Sequence, residues 1–344
     1  MKKIIFLLLI LISFSARDSY SVVVIQRVYF SGNNICNYYQ NTGIFNKFSG
    51  TANTAGLYWH CDPMQSYCFT AGFNIAANVN GNIAMVMASY GGEYSPGYYM
   101  DSMFVTNADF KIYKVSRTDF AWSNPDYANW YKMVPFGAPY DDVNNNCLFD
   151  RDIDKPGVRE AKQTLFVVLT DGDISQHNPG EGFGGGVTNP LLGAEVRLTV
   201  WAYEDYLPDV QYMRYQVVNK SKNAWDSTYF SIFADCDSPI EPLRDLTGCD
   251  TNLQIGYNYS NDTVVRGAYG IQMLQGPVNK LTGDTLRLSS FNISDLQYSC
   301  NGEANGVPRF AYNYMKGYKT DGTWFLDPTY TPYKKTKFVF SGDP

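Results

Sequence analysis

Side-chain oxygens crowd one stretch of the chain: Asp142, Asn144, Asn146 and Asp150, followed closely by Asp152 and Asp154. Counted from Asp142, the oxygen donors fall at positions 1, 3, 5 and 9, with the Leu148 carbonyl at position 7. A tight turn with that spacing points several oxygens at one centre, which is what a hard cation such as calcium requires. Two positions depart from the helix-loop-helix calcium motif. Cys147 stands where a glycine eases the turn, and Ile153 where a bidentate glutamate closes the shell, so Asp152 or Asp154 would have to complete it. Pro135, Pro139 and Pro156 bracket the stretch, which favours an isolated loop over a pair of flanking helices. The metal-free alternative is an Asn/Asp-rich turn, since these residues form turns unaided.

Asp235, Asp237, Asp245 and Asp250 form a second acidic group. Four carboxylates so close in sequence repel one another unless a cation sits among them, so a second metal site is one reading. A solvated acidic loop stapled by Cys236 and Cys249 is the other. The chain has seven cysteines, Cys36, Cys61, Cys68, Cys147, Cys236, Cys249 and Cys300, a number compatible with an oxidising compartment although odd. Spacing favours Cys61 with Cys68 and Cys236 with Cys249. With only His60 and His177 available and no CxxC, a cysteine-histidine metal cluster is not expected. His60 reads as a partly buried structural histidine next to a disulfide, with a Cys-His pairing as the alternative, and His177 as a solvated loop residue.

The elements that must hold these loops are strands. Alternation or continuous apolar character marks Val22 to Tyr29, Phe69 to Val79, Ile83 to Tyr90, Phe110 to Val115 and Thr164 to Thr170. Asn80-Gly81 signals a hairpin. Ser123-Asn124-Pro125 predicts a short helix over Asp126 to Lys132, leading into the calcium-type loop. Ala194 to Tyr203, Val210 to Asn219 and Ser227 to Asp235 predict three consecutive strands of one antiparallel sheet. Val196, Leu198, Val200 and Ala202 share one face of the first. Leu253 to Tyr259, Ala268 to Leu274, Asp284 to Phe291 and Lys337 to Ser341 read as further strands, with a second short helix around Tyr312 to Gly317. The fold class expected is mainly β, an antiparallel β-sandwich or jelly roll with long loops and one or two short helices. The glycine-rich Gly180 to Gly186 lacks the Lys-Ser/Thr of a phosphate loop and reads as a flexible connection. It is the best candidate for a boundary between two loosely defined halves, a region 22–180 carrying the calcium-type loop and a sandwich region 187–344 packed with it, while Thr164 to Thr170 could still pair with strands beyond it.

Residues 1–21 have the form of a signal peptide: Lys2 and Lys3, an apolar run from Ile4 to Ile12 too short to span a bilayer, then small residues. No cysteine follows that run closely enough for a lipoprotein anchor, and no later run reaches transmembrane length. About 320 residues remain, rich in Tyr, Phe and Gly with 17% charged residues, as suits a β-rich extracellular chain. Without Lys2 and Lys3 the formal charge goes from −6 to −8, and no Lys/Arg cluster appears, so nucleic acid and anionic membranes are not expected partners. Calcium is. Enzyme signatures are missing: no Gly-x-Ser-x-Gly elbow, zincin motif or dinucleotide fingerprint. Trp59, Trp130, Trp201 and Trp324 are candidate stacking platforms for an extracellular glycan, although tryptophans serve more often as core.

From Gly43 onward, Thr42-Gly43-Ile44-Phe45, Thr54-Ala55-Gly56-Leu57-Tyr58-Trp59, the Asp142 to Gly157 loop, Glu195-Val196 with Trp201-Ala202, Val218-Asn219-Lys220-Ser221 and Gly248-Cys249-Asp250 occur in an order that resembles the N-terminal region of large secreted proteins bearing a C-terminal type IX secretion sorting domain. The resemblance covers roughly 280 residues. It implies export across the outer membrane and release or attachment at the cell surface, and no known chemistry. Relatives of that kind have glycine where Cys147 or Asn145 stands, and Asp-Pro-Asp where this chain has Asp235-Cys236-Asp237. No sorting domain lies within these 344 residues, which implies a fragment or a different route. The resemblance also implies O-glycosylation at Asp-Ser/Thr-apolar triplets, which Asp101-Ser102-Met103, Asp262-Thr263-Val264 and Asp284-Thr285-Leu286 fit. The expected function is a calcium-stabilised structural or adhesive module, secreted or on the outer cell surface. The alternative is a carbohydrate-binding protein or glycoside hydrolase.

Overall fold

The computed structural model describes residues 24–48, 55–177, 183–184, 191–237, 245–260, 267–294, 302–327 and 329–341. The expected signal peptide, most of Gly180 to Gly186, Cys300 and the triplet at Asp262 lie outside them. The first part of the chain lays down β1 (Arg27–Phe30), β2 (Ile35–Gln40), β3 (Ile44–Phe45), β4 (Leu57–Trp59), β5 (Ser66–Cys68), β6 (Thr70–Val79) and β7 (Asn82–Val86). The β6–β7 hairpin turns at Asn80 and Gly81, with φ of 52° and 85°, as the Asn-Gly pair predicts. Next come β8 (Ser95–Pro96), β9 (Tyr98–Met100), β10 (Met103–Val105), β11 (Tyr113–Ser116) and the short helix α1 (Pro125–Asn129). Asn124 caps α1 by accepting from the Asp126 amide at 2.8 Å.

β12 (Tyr140–Asp141) and β13 (Lys155–Pro156) flank the calcium-type loop, and β14 (Gln163–Thr170), β15 (Ala194–Ala202), β16 (Gln211–Asn219) and β17 (Asp226–Asp235) follow. β18 (Asp245–Asp250), β19 (Ile255–Ser260) and β20 (Ala268–Gln272) make a small antiparallel sheet of their own. Helix α2 (Pro308–Met315), β21 (Phe325–Asp327) and β22 (Lys334–Thr336) complete the order. Among the described residues the fold is mainly β with antiparallel sheets and two short α-helices, as expected. Asp284 to Phe291 forms isolated bridges instead of a strand, and the final strand falls at Lys334–Thr336, just before the expected one.

Two large sheets face each other. One runs β17-β6-β3-β2-β4-β5, with β1 on β2 and β7 on β6; the other runs β11-β14-β15-β16, with β8 on β14. Phe73, Ile75, Ala77 and Val79 of β6 meet Leu165, Val167 and Leu169 of β14 and Val196, Leu198, Val200 and Ala202 of β15 in the main core. Phe73 stacks on Tyr215 at 4.2 Å and so joins β6 to β16 across the layers. Both sheets are covered outside as well. Trp130 and Met133 pack on Phe166 and Val168, while Ala311, Tyr312 and Met315 of α2 pack on Ala76 and Met85. This double coverage explains why β6 and β14 read as almost continuous apolar runs.

One expectation is corrected. The strands Ala194–Ala202, Gln211–Asn219 and Asp226–Asp235 do not form one sheet: β16 pairs β15, but β17 crosses the sandwich and pairs β6. Local alternation is the same on either sheet, so periodicity cannot distinguish them. β14, over Thr164 to Thr170, pairs β15 across the Gly180 to Gly186 stretch, the pairing that the sequence leaves open. Among the described residues no helix is long and apolar enough to cross a membrane.

Candidate functional site

The calcium-type loop hangs from the two-residue ladder of β12 and β13. Phe149 fixes it to the body by packing against the Trp130 cluster and lying 5.1 Å from the Tyr140 ring. Asp142 spans the turn: Oδ1 accepts from the Asn146 amide at 3.1 Å and Oδ2 from the Cys147 amide at 2.7 Å. Asn144 Oδ1 accepts from the same Asn146 amide at 3.2 Å, and Asn146 Oδ1 from the Leu148 amide at 2.8 Å. The Nδ2 groups of Asn144 and Asn146 converge on Asp150 Oδ2, at 2.8 and 2.7 Å. Of the two residues expected to complete a cation shell, Asp154 is the one hydrogen-bonded to the turn. It is 2% exposed, and accepts from the Val143 and Asp150 amides at 2.9 and 2.7 Å, whereas Asp152 faces solvent.

The loop therefore brings Asp142, Asn144, Asn146, Asp150 and Asp154 onto one small turn. Leu148 is exposed with its backbone on the same turn. Asn145 and Cys147 take left-handed φ of 58° and 62°. The position that is usually glycine thus has the glycine conformation while carrying a side chain, at a cost of about 1 kcal/mol. All donors are oxygens or amides whose rotation offers oxygen, a set suited to a hard cation and not to zinc.

At the second acidic group, Asp235 ends β17, Asp237 follows it and Asp245 opens β18. These three are electrostatic neighbours, joined by Glu303, the Tyr90 hydroxyl and Lys47. Asp250 lies at the far end of β18, where Oδ1 accepts from the Asn252 and Leu253 amides at 2.7 and 2.9 Å, so it stands apart from the other three. Burial raises Asp235, and burial followed by the charges of Asp235 and Asp245 pushes Asp237 up to about 6. A carboxyl raised from 3.8 to about 6 in the native state contributes stability below its unfolded value, and loses it as pH rises through 6. In chelator, the melting temperature should therefore fall slightly between pH 5 and 7.5. The change is worth less than about 1 kcal/mol because Asp237 is only partly buried. Asp237→Asn should flatten this profile, and calcium should reverse the slope if a cation binds there. Among the described residues no three or more His, Cys, Asp or Glu stand in metal-holding geometry. At either place a cation would have to draw the carboxylates inward or recruit amide and carbonyl oxygens.

A fully buried carboxylate cluster lies away from both acidic groups. Asp171, fully buried at the end of β14, accepts from the Tyr99 hydroxyl at 2.8 Å and from the Ala194 and Gly193 amides at 2.7 and 3.0 Å. Its backbone oxygen meets His177 Nε2 at 3.1 Å, while His177 Nδ1 stands 3.7 Å from Glu93 Oε2. His177 is thus a core residue, not a solvated one. The sequence reading placed it wrongly because its loop folds inward only once β8 and β15 flank β14. Burial lowers the imidazole against the attraction of Asp171, and burial raises Asp171 against its three donors. Glu195, also buried, binds Arg197 Nη2 at 2.8 Å and accepts from the Tyr99 amide at 3.3 Å. Outside it lies a recess of about 370 Å³ lined by Tyr99, Asp101, Ser102, Lys220 and Lys222. The Asp-Ser-Met triplet therefore sits on the β9–β10 turn at this recess.

The tryptophans divide sharply. Trp130 is fully buried and donates to the Pro139 carbonyl at 2.8 Å, which makes it core. Trp59 is half-buried and donates to Asp209 at 2.8 Å, and the His60 ring, tilted beside it at 4.4 Å, is exposed and not partly buried as expected. Trp201 stacks on Tyr212 at 5.3 Å, and Trp324 meets Tyr318 edge-on. The most open is Trp122, which was not singled out from sequence: it is 86% exposed and parallel to Phe120, with centroids 5.9 Å apart.

The disulfide expectations are also corrected. Cys61 pairs with Cys36, not Cys68, because β2 and β4 are neighbours and bring Cys36 opposite Tyr58, close to the turn that holds Cys61. Cys236 and Cys249 are both free. The Cys249 thiol points to the Val339 carbonyl at 3.7 Å. The chain matches no protein-family model, and no curated protein or solved structure is significantly similar to it.

Proposed function

We propose that this chain is a calcium-stabilised β-sandwich module, secreted or held at the outer cell surface, with a structural or adhesive role. The observation that carries this reading is the convergence of Asp142, Asn144, Asn146 and Asp150 on one turn closed by buried Asp154. Calcium would be held by those side chains and the Leu148 carbonyl, and would supply charge neutralisation and stiffness. The signal-like residues 1–21 and the resemblance to proteins with a type IX sorting domain support export. Asp235, Asp237 and Asp245 are a second candidate cation site, with Asp250 set apart from it.

The test is the melting temperature of residues 22–344 in millimolar calcium and in excess chelator, beside Asp142→Ala/Asp150→Ala. An ion at a hundred times its Kd adds about 2.7 kcal/mol, or roughly 5 to 8 °C for a domain of this size. The double variant should lose that rise. Equal melting with and without calcium in the wild-type chain would reduce the loop to an ordinary turn.

A second reading is glycan binding, and the parallel, solvent-facing Phe120 and Trp122 favour it. Their turn is held rigid by Asp119 Oδ2, which accepts from the Ser116 amide at 2.7 Å and from Asn124 Nδ2 at 2.7 Å. A platform of this kind binds sugar rings through their apolar faces. A glycan-array signal abolished by Trp122→Ala would support it.

A further inference from the structure

Two of the free cysteines meet. Cys68 ends β5, is fully buried, and lies in the main core, while Cys236 directly follows β17 and packs against the same core. The backbone brings them there: Thr70 is opposite Asp235 in the β6–β17 register, and the Phe69 amide donates to the Asp235 carbonyl at 2.8 Å. The Cys68 Sγ is 3.3 Å from that same Asp235 oxygen and 3.4 Å from the Thr70 oxygen. Cys68 Sγ therefore lies against the carbonyl that leads into Cys236, and both side chains pack in the same core as Tyr269 of β20. Nothing comparable holds for Cys249, which faces Val339, or for Cys147, exposed on the acidic loop.

We propose that Cys68 and Cys236 close a second disulfide, which ties the β5–β6 junction to the end of β17. Cys68 Sγ, 3.3 Å from the carbonyl that leads into Cys236, stands within the short reach that a disulfide bridges. A chain that keeps Cys36–Cys61 closed meets oxidants able to close another pair. The reaction is thiol–disulfide exchange with a disulfide-form oxidant, glutathione disulfide in the test. Cys236, the less buried thiol, loses its proton and attacks one glutathione sulfur, releasing the other half as a thiolate that takes up a proton. Cys68 then attacks Cys236 Sγ of the mixed disulfide and expels the second glutathione thiol. Two protein thiols become one disulfide, and glutathione disulfide becomes two thiols.

The experiment is a non-reducing peptide map of the full chain, refolded in a glutathione redox buffer and then alkylated. The expected result is two linked peptide pairs, Cys36 with Cys61 and Cys68 with Cys236, while Cys147 and Cys249 carry the alkyl group. The oxidised wild type should melt about 5 °C above Cys68→Ala/Cys236→Ala. Alkylation of both Cys68 and Cys236 in chains whose Cys36–Cys61 bond is closed would overturn the proposal. So would a link from either to Cys249 or Cys300. The map is read on the wild-type chain, so a variant that fails to fold does not blunt it.

Discussion

Asp171→Ala should destabilise the protein by roughly 3–5 kcal/mol, the largest effect expected of any single polar substitution here. The residue is fully buried, and its carboxylate accepts from the Tyr99 hydroxyl and from the Gly193 and Ala194 amides. Alanine leaves three buried donors without an acceptor, and no backbone adjustment rehydrates all of them, since Ala194 begins the strand that pairs with β14 and Gly193 leads directly into it. Asp171→Asn is not a mild substitute. Its amide nitrogen would face one of the donors, so a loss of about 2 kcal/mol is expected. Tyr99→Phe, which removes one donor and keeps the carboxylate's two amides, should cost about 1 kcal/mol. Urea denaturation of the three variants checks this order; equal stability of Asp171→Ala and wild type would show that the buried cluster does not hold β14 to β15.

This cluster also marks where sequence reading stops. The Asn80-Gly81 turn, the Asn124 cap and the alternation of Ala194 to Ala202 are local signals, each specified by residues within a few positions. So is the Asp142 to Asp154 loop, which the structure folds as one turn with Asp154 as its closing residue. Asp171, His177, Glu93 and Tyr99 meet only after separate strands have paired, and nothing periodic marks them beforehand. The same holds for the passage of β17 to the opposite sheet and for the pairing of Cys61 with Cys36. Their partners are far away in sequence, and alternation reports burial of a face without saying which neighbour buries it.

Asp154→Ala is expected to melt the acidic loop while leaving the sandwich folded, at a cost of about 2–3 kcal/mol to the local structure. Its two oxygens bind the Val143 and Asp150 amides and so join the two ends of the turn. The β12–β13 ladder is only two residue pairs long and cannot hold the loop alone. Limited proteolysis should cut the variant between Asn144 and Leu148 while the core strands keep their protection against hydrogen exchange. Cys147→Gly should act in the opposite direction, by up to about 1 kcal/mol, because it relieves the positive φ at that position. An Asp154→Ala chain as resistant to protease as wild type would mean that Phe149, packed on the Trp130 cluster, is a sufficient anchor.

The crossing of β17 has a kinetic meaning. Thr70 to Asn78 wait for Asp226 to Asp235, a partner some 150 residues further along. Until it arrives, one side of β6 is an open edge with no charged residue in its sequence, Thr-Ala-Gly-Phe-Asn-Ile-Ala-Ala-Asn-Val. Such an edge is an invitation to intermolecular pairing. The chain should therefore fold slowly, late and as a whole, and a nascent chain stopped before Asp226 should be prone to aggregate even though most of its sandwich strands are already made.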